Sequence, residues 1–269
     1  MEGTLGPKDL LNTDIPFNER KVALLDEIVT ALYSTDQSVM SQANEILTEF
    51  QQHGDSWQHV DIILENSNSN NTKFIALNVL ESTVKNKWKV LPADQKNGIK
   101  EFITNLVITM GKDDNINTTG KHLLTKLNQT LVSIVKHEWT TTWKDFIPEI
   151  CQASRTHQGL CENTLNILKL LSEEIFDFSK NEISSNKANE LKENMTEEFA
   201  SIYELCVFVL NTYIENSGAV KKALVKSCLK TFASFLSWIP FGYIFETDIL
   251  DKLLNSFFVV PAFRNDTLP

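Results

Sequence analysis

The sequence predicts an all-α protein in which antiparallel helical hairpins stack one on the next as an α-solenoid. Amphipathic segments recur in pairs, and the pairs begin near Glu19, Asp55, Ala93, Thr142 and Lys187. Only nine Gly and seven Pro interrupt the 269 residues, so long helices are permitted. Because a stacked array has no central cleft in which to build chemistry, its extended surface favours a binding protein.

The spacing of these pairs lies near the roughly 35–50-residue period of HEAT and armadillo repeats. We therefore expect a right-handed HEAT-repeat superhelix of about five and a half helical hairpins. A sixth unit opens at Pro240, and its second helix would begin after Pro261, which predicts an array truncated at its C-terminal end. The predicted divisions are an irregular leader (1–18), repeats 1–3 (19–138), repeats 4–5 (142–238) and the first helix of repeat 6 (240–269).

Apolar residues at helical spacing predict which side of each helix is buried. In the second pair they are Val60, Ile63, Leu64, Ala76, Val79, Leu80 and Val84, and in the third Ile99, Phe102, Ile103, Leu106, Val107, Leu123, Leu124, Leu127, Leu131, Ile134 and Val135. The fourth pair joins Phe146–Ile150 to a stripe of Leu165, Leu168, Leu171 and Ile175. We expect the fifth pair to begin with one continuous helix over 188–215, and Pro240 to stop its partner.

A last helix is predicted over 244–258, with Ile249, Leu253, Leu254 and Phe257 on one apolar face. The helix that would cover this face is not completed before Pro269. Because the ends of a solenoid need polar caps, we expect this face to be exposed and adhesive.

The net charge of −10 is unevenly distributed along the chain. Residues 1–66 carry twelve acidic and three basic residues, whereas residues 67–145 carry eleven lysines and seven acids. This acidic N-terminal segment repels phosphate, so we expect no direct nucleic-acid partner there. It suits a basic protein surface, because complementary fields speed association. A solvated acidic face with no partner remains the alternative interpretation.

Patterns that carry catalysis or bind cofactors are missing from the sequence. It has no GxxxxGK[ST], GxGxxG, HExxH or GxSxG motif, so we expect no enzyme and no cofactor. His53 and His59 share no helical face, and the four cysteines lie far apart, so no metal site is predicted. No run of about 18 apolar residues occurs, so we expect no membrane insertion.

Several strings are more specific than the repeat pattern. They are His137–Trp139, Trp143–Ile147, Cys161–Asn163, Leu168–Ser179, Trp238–Thr247 and Val260–Asn265. Together they closely resemble the N-terminal region of nuclear export receptors of the importin-β superfamily. The similarity starts near Leu24 and covers nearly the whole chain. The chain departs from the family at Thr140 and Lys144, where proline usually stands.

The resemblance implies that this region binds GTP-bound Ran through the second helices of its first repeats. The candidate contact residues, called the contact set below, are the polar positions beside the apolar stripes of those helices: Gln42, Glu45, Glu49, Asn78, Glu81, Ser82, Lys85, Lys126, Asn128 and Gln129. A merely solvated helix face is the alternative at each position.

The resemblance further implies phenylalanine-glycine nucleoporins as partners, with Trp57 and Phe146 near the receiving slots or simply buried. Export-signal cargo would bind only through repeats absent from this chain. A receptor of this kind shuttles between nucleus and cytoplasm through the nuclear pore. A HEAT-repeat scaffold of the phosphatase or coat-adaptor type, which does not bind Ran, is the rival interpretation.

Overall fold

A computed structural model describes residues 5–176, 185–236 and 238–267, and within these ranges the chain forms helices and no strand. The α-helices are α1 Glu19–Ala31, α2 Gln37–Gln52, α3 Val60–Asn66, α4 Asn70–Lys87, α5 Ala93–Gly111, α6 Thr118–Glu138, α7 Phe146–Ser154, α8 Gln158–Phe176, α9 Ser185–Glu197, α10 Phe199–Glu215, α11 Lys222–Phe235, α12 Gly242–Phe245, α13 Ile249–Lys252 and α14 Arg264–Thr267. Short 3-10 turns occupy Pro7–Leu10, Ser56–His59 and Trp88–Val90, and a π-helical turn spans Leu253–Phe258. The prediction of an all-α HEAT-repeat fold is confirmed.

The helices form two compact units. The first ends at Asn105 and adds Ile116–Ser133, and the second comprises Leu106–Asn115 and the described residues from Ile134 onward. In the first unit α1 packs on α2 and α3, while α4 packs on α2 and α3. In the second unit α7 packs on α8 and α10, while α11 packs on α8 and α10. Within each unit, therefore, first helices contact first helices and second helices contact second helices, as in HEAT hairpins.

The core of the first unit follows the predicted stripes. Ile63, Leu77 and Val84 are fully buried, because α3 and α4 turn these positions toward each other and toward the first hairpin. Asp26 of α1 contacts the turn between α3 and α4. One of its carboxylate oxygens accepts a hydrogen bond from the Ser67 hydroxyl at 2.6 Å. A link of this kind fixes one hairpin on the next by a charge-assisted hydrogen bond as well as by packing.

The leader covers one side of the first hairpin. Leu10 is buried, and the buried Lys21 ammonium donates to the Asn12 carbonyl at 2.6 Å. The ring of Phe17 stacks on His59 with 4.3 Å between ring centroids. The side chain of Asn18 then caps α1 by accepting from the backbone of Arg20 and Lys21, which ends the irregular segment.

Aromatic rings fill the core of the second unit around Phe199, the first residue of α10. Its fully buried ring lies 4.9 Å from Tyr243, 5.6 Å from Phe235 and 5.7 Å from Trp238, measured between ring centroids. Edge-to-face pairs at these distances add to the stabilisation that area burial alone provides. Trp238 and Tyr243, both within the string Trp238–Thr247, therefore pack back onto α10 and α11.

The prediction of one continuous helix over 188–215 is wrong, because the helix is interrupted at Glu198, between α9 and α10. Glu198 has φ −91° and ψ 1°, outside the helical region, and its carboxyl turns inward to the Trp139 indole. The helix expected over 244–258 is also wrong. It is interrupted after Phe245, and the Thr247 hydroxyl there donates to the Tyr243 carbonyl and accepts from the Tyr203 hydroxyl.

The apolar face of this last segment is better covered than expected. Ile249 and Phe257 are fully buried, and Phe257 lies 6.0 Å from the buried Phe263 between ring centroids. Leu254 stays half exposed. The turn that begins at Pro261 places Phe263 over this face. It therefore provides part of the cover that we expected a second helix to provide.

Candidate functional site

The polar residues predicted on α2 lie on its exposed side. Gln42, Glu45 and Glu49 follow each other at intervals of three and four residues, so they share one helical face. Ala43, Ile46 and Phe50 on the opposite side are buried against the rest of the first unit. This arrangement leaves two carboxylates in solvent on the second helix of the first hairpin.

The predicted positions on α4 form a second polar strip. Ser82 and Lys85 are exposed, and Asn78 and Glu81 are partly exposed. The strip begins one turn earlier, at Phe74, whose ring is 42% exposed. Phe74, Asn78, Glu81 and Lys85 fall on one face of the helix, so the aromatic ring belongs with the polar residues.

On α6 the expected exposure is wrong for two of the three residues. Gln129 is exposed, but Lys126 and Asn128 keep only 9% and 5% of their surface. Lys126 lies beside the stripe of Leu123 and Leu127, and the neighbouring α4 side chains cover it. A lysine stem packs against apolar surface readily, provided that its ammonium finds a charged partner.

Lys126 finds that partner in Glu81 of α4. The Glu81 carboxylate accepts hydrogen bonds from the ammonium groups of Lys126 and Lys85 and forms ion pairs with both; the Lys85 ammonium lies 3.2 Å from it. Burial alone would raise the pKa of Glu81, but the two lysines outweigh it and hold the pKa below its usual range. The ammonium of Lys126 also lies 5.4 Å from the centroid of the Phe74 ring, a cation–π contact.

Within the contact set the structure distinguishes two groups of residues. Glu81, Lys85 and Lys126 form one cluster with Phe74, called the α4–α6 cluster below. Gln42, Glu45 and Glu49 make no side-chain ion pair with it among the described residues. Gln42, Glu45 and Glu49, called the α2 strip below, therefore present two exposed carboxylates, whereas in the cluster Glu81 faces two lysines.

Phe74 is the residue that sequence reasoning missed. Its spacing of four residues from Asn78 and seven from Glu81 could have placed it on the same face. The residue type argued against it, because phenylalanine is ordinarily assigned to the core.

A groove of about 440 Å³ opens on the first helices of the first unit, between α3 and α5. Trp57, Ile99 and Phe102 line it, and all three are partly exposed. The other residue predicted near such a slot, Phe146, is fully buried, so it offers no surface to a partner. The volume of the groove lies within the range of small-ligand pockets, so the groove is the remaining candidate slot on the first helices.

The described residues contain no group of three or more His, Cys, Asp and Glu side chains placed to hold a metal ion. His59 is engaged in stacking on Phe17. Burial raises the pKa of the Cys161 thiol to about 12, and all four cysteines are buried and reduced. Among the described helices none is both long and apolar enough to cross a membrane.

Comparison with known proteins places two stretches of the chain in families. Residues 120–268 match the family described as Exportin 1-like protein, and residues 43–109 match the Importin-beta N-terminal domain. The second match contains most of α2 and all of α3 and α4, the helices that carry the α2 strip and most of the α4–α6 cluster.

Individual relatives agree with these family matches. The chain is 44% identical over 250 residues to Exportin-1 of Schizosaccharomyces pombe and 45% identical over 247 residues to Exportin-1 of Drosophila melanogaster. It is 44% identical over 248 residues to Protein EXPORTIN 1B of Arabidopsis thaliana. These alignments cover 92–93% of this chain but only 22–23% of the relatives. The chain therefore belongs to the exportin-1 family and corresponds to about a quarter of the length of its relatives.

Proposed function

We propose that this chain is the Ran-binding portion of a nuclear export receptor, a transport protein rather than an enzyme. Its second helices α2, α4 and α6 would contact GTP-bound Ran. The observation that carries the proposal is the pair of polar strips on α2 and α4, which, apart from Gln42, lie within the stretch that matches the Importin-beta N-terminal domain. Exposed strips on successive second helices form an extended surface of the kind that solenoids use for binding.

Selectivity for the GTP-bound form would follow from the partner. In GTPases the γ-phosphate orders the switch loops, and hydrolysis releases them. A rigid helical face distinguishes the two states when it contacts loops that are ordered in only one of them, because ordering them costs free energy. The α4–α6 cluster supplies such rigidity, since Glu81 holds Lys126 and Lys85 in place before binding.

The α2 strip supplies charge. Residues 1–66 carry twelve acids and three bases, and Glu45 and Glu49 place two of these acids on the proposed face. A basic partner surface approaching it would be steered by the field, which raises the association rate more than the intrinsic affinity.

Reversing the charge of the α2 strip should therefore slow binding. We expect the double substitution Glu45→Lys and Glu49→Lys to reduce the association rate with GTP-loaded Ran by about tenfold at low salt. The loss should shrink as ionic strength rises, because the charges are solvent-exposed and screened. Surface-plasmon measurements over a salt series would record both effects.

The matched control is Glu27→Lys with Glu65→Lys. These residues are exposed in the same unit but lie on the first helices α1 and α3. The control changes the net charge of the chain by the same amount. It therefore separates an effect of local contact at the α2 strip from an effect of the overall electrostatic field. Equal slowing by both pairs would assign the effect to net charge alone, and no slowing by either would place Ran on another surface.

Export-signal cargo and nucleoporins are the other partners to consider. Because the chain covers 22–23% of its exportin relatives, we propose that export-signal cargo binds through repeats that this chain lacks. Removing a second tethered contact surface can lower apparent affinity by about 10²–10⁴, so Ran should bind this chain weakly. The groove beside Trp57 is the proposed slot for phenylalanine-glycine nucleoporins, which would carry the receptor between nucleus and cytoplasm.

A further inference from the structure

Glu198 occupies a junction in the second unit. It separates α9 from α10, and its side chain reaches the end of α6 and the start of α7. The break lies on no glycine or proline, the usual causes of an interrupted helix. The inward contact of the Glu198 side chain with Trp139 coincides with the break.

One carboxyl oxygen of Glu198 is satisfied and the other is not. The fully buried Trp139 donates its indole N–H to Oε1 at 3.2 Å. Oε2 is buried and finds no hydrogen-bond partner among the described residues. A neutral carboxyl tolerates this arrangement, whereas an ionised one leaves a buried negative charge that the N–H donors of Trp139 and Ile147 satisfy only in part.

The groups around Glu198 also disfavour its charge. Asp145 at the start of α7 and Glu197 on α9 are both acidic. The buried Cys151 thiol of α7, whose own pKa burial raises, offers no positive charge. Burial is the largest cause that raises the pKa of Glu198, to about 7, and the two acids add to it. The Trp139 hydrogen bond and the backbone N–H of Ile147 only partly oppose this.

We propose that Glu198 is a proton-operated joint: its neutral carboxyl holds the α9–α10 break against Trp139 and the start of α7, and its ionisation loosens that contact. The joint connects the end of the third hairpin with the fourth and fifth, all within the second unit. It is independent of the contact set, none of which lies in this unit.

The direction of the pH effect follows from linkage. A glutamate that keeps its proton in the folded chain to about pH 7 but loses it near pH 4.3 when unfolded stabilises the fold most at acidic pH. That stabilisation is lost as the pH rises through this interval and is constant above it. Local opening at the break should therefore increase as the pH rises from about 4.3 toward 7, and it should level off just above pH 7.

Hydrogen exchange on the 269-residue chain measures this opening. We expect the protection of amides flanking the break, corrected for the intrinsic pH dependence of exchange, to fall about tenfold from pH 6 to 8. The indole N–H resonance of Trp139 should shift over the same interval. In Glu198→Gln, whose amide oxygen still accepts from Trp139, both changes should disappear.

Two further variants separate titration of Glu198 from other causes. Glu197→Gln removes a neighbouring charge and should move the midpoint to lower pH, while the exposed Glu193→Gln should leave it unchanged. An identical transition in Glu198→Gln, or no transition in the unmodified chain, would overturn the proposal. If Glu198→Gln fails to fold, an unmoved midpoint in Glu197→Gln overturns it instead.

Discussion

Replacing Phe199 with alanine should lower the free energy of unfolding by about 3–5 kcal/mol, the range observed when a buried phenylalanine is truncated. The ring is fully buried and contacts Phe235, Trp238 and Tyr243. Its removal leaves a cavity between α10, α11 and the segment that follows, which rigid helices fill incompletely. Urea unfolding monitored by circular dichroism and tryptophan fluorescence would record a lower midpoint.

The matched control is Phe241→Ala, which deletes the same atoms from a ring that is 74% exposed. We expect it to change the free energy of unfolding by less than about 0.5 kcal/mol. Equal effects at the two positions would mean that the aromatic cluster around Phe199 is not a core, and the packing described for the second unit would be incorrect.

Reversing Glu81 to lysine should destabilise the first unit by roughly 2–4 kcal/mol, somewhat less than for a fully buried pair, because its side chain retains 16% exposure. The substitution leaves Lys126 without its partner and places three lysines together. Since the lowered pKa of Glu81 reflects stabilisation of its charged form, the wild-type contribution is full above the unfolded pKa and is lost on acidification.

A double-mutant cycle isolates this pair. The exchange of Glu81→Lys with Lys126→Glu should recover much of the stability, and Glu81→Gln should cost less than the reversal. The reversal should also weaken Ran binding, but that loss counts as a contact effect only in variants that remain folded. No recovery in the exchanged pair would show that the cluster is held by packing and not by charge.

Much of the fold could be predicted from apolar spacing. Ile63, Val84, Leu127 and Leu168 all belong to predicted stripes and are buried. Ile99 and Phe102 also belong to one, yet they stay partly exposed and line the groove of α5. Periodicity identifies the apolar side of a helix but does not say whether a neighbour covers it.

The breaks in long helices could not be predicted, because their causes are distant in sequence. Glu198 interrupts a strong helical pattern through a hydrogen bond to Trp139, 59 residues earlier. The burial of Lys126 likewise depends on Glu81, 45 residues away. Such pairings depend on which hairpins stack, and a single sequence contains no direct signal for them.

The most direct measurement compares the binding of GTP-loaded and GDP-loaded Ran to the same folded 269-residue chain. Saturable binding of the GTP form, with the GDP form at least tenfold weaker, is the expected result, because ordered switch loops are presented only in the first. The Glu45→Lys and Glu49→Lys variant should reduce that binding while its helical content is unchanged. Equal binding of the two forms would contradict a Ran-binding face on α2, α4 and α6, and so would the absence of saturable binding of either form.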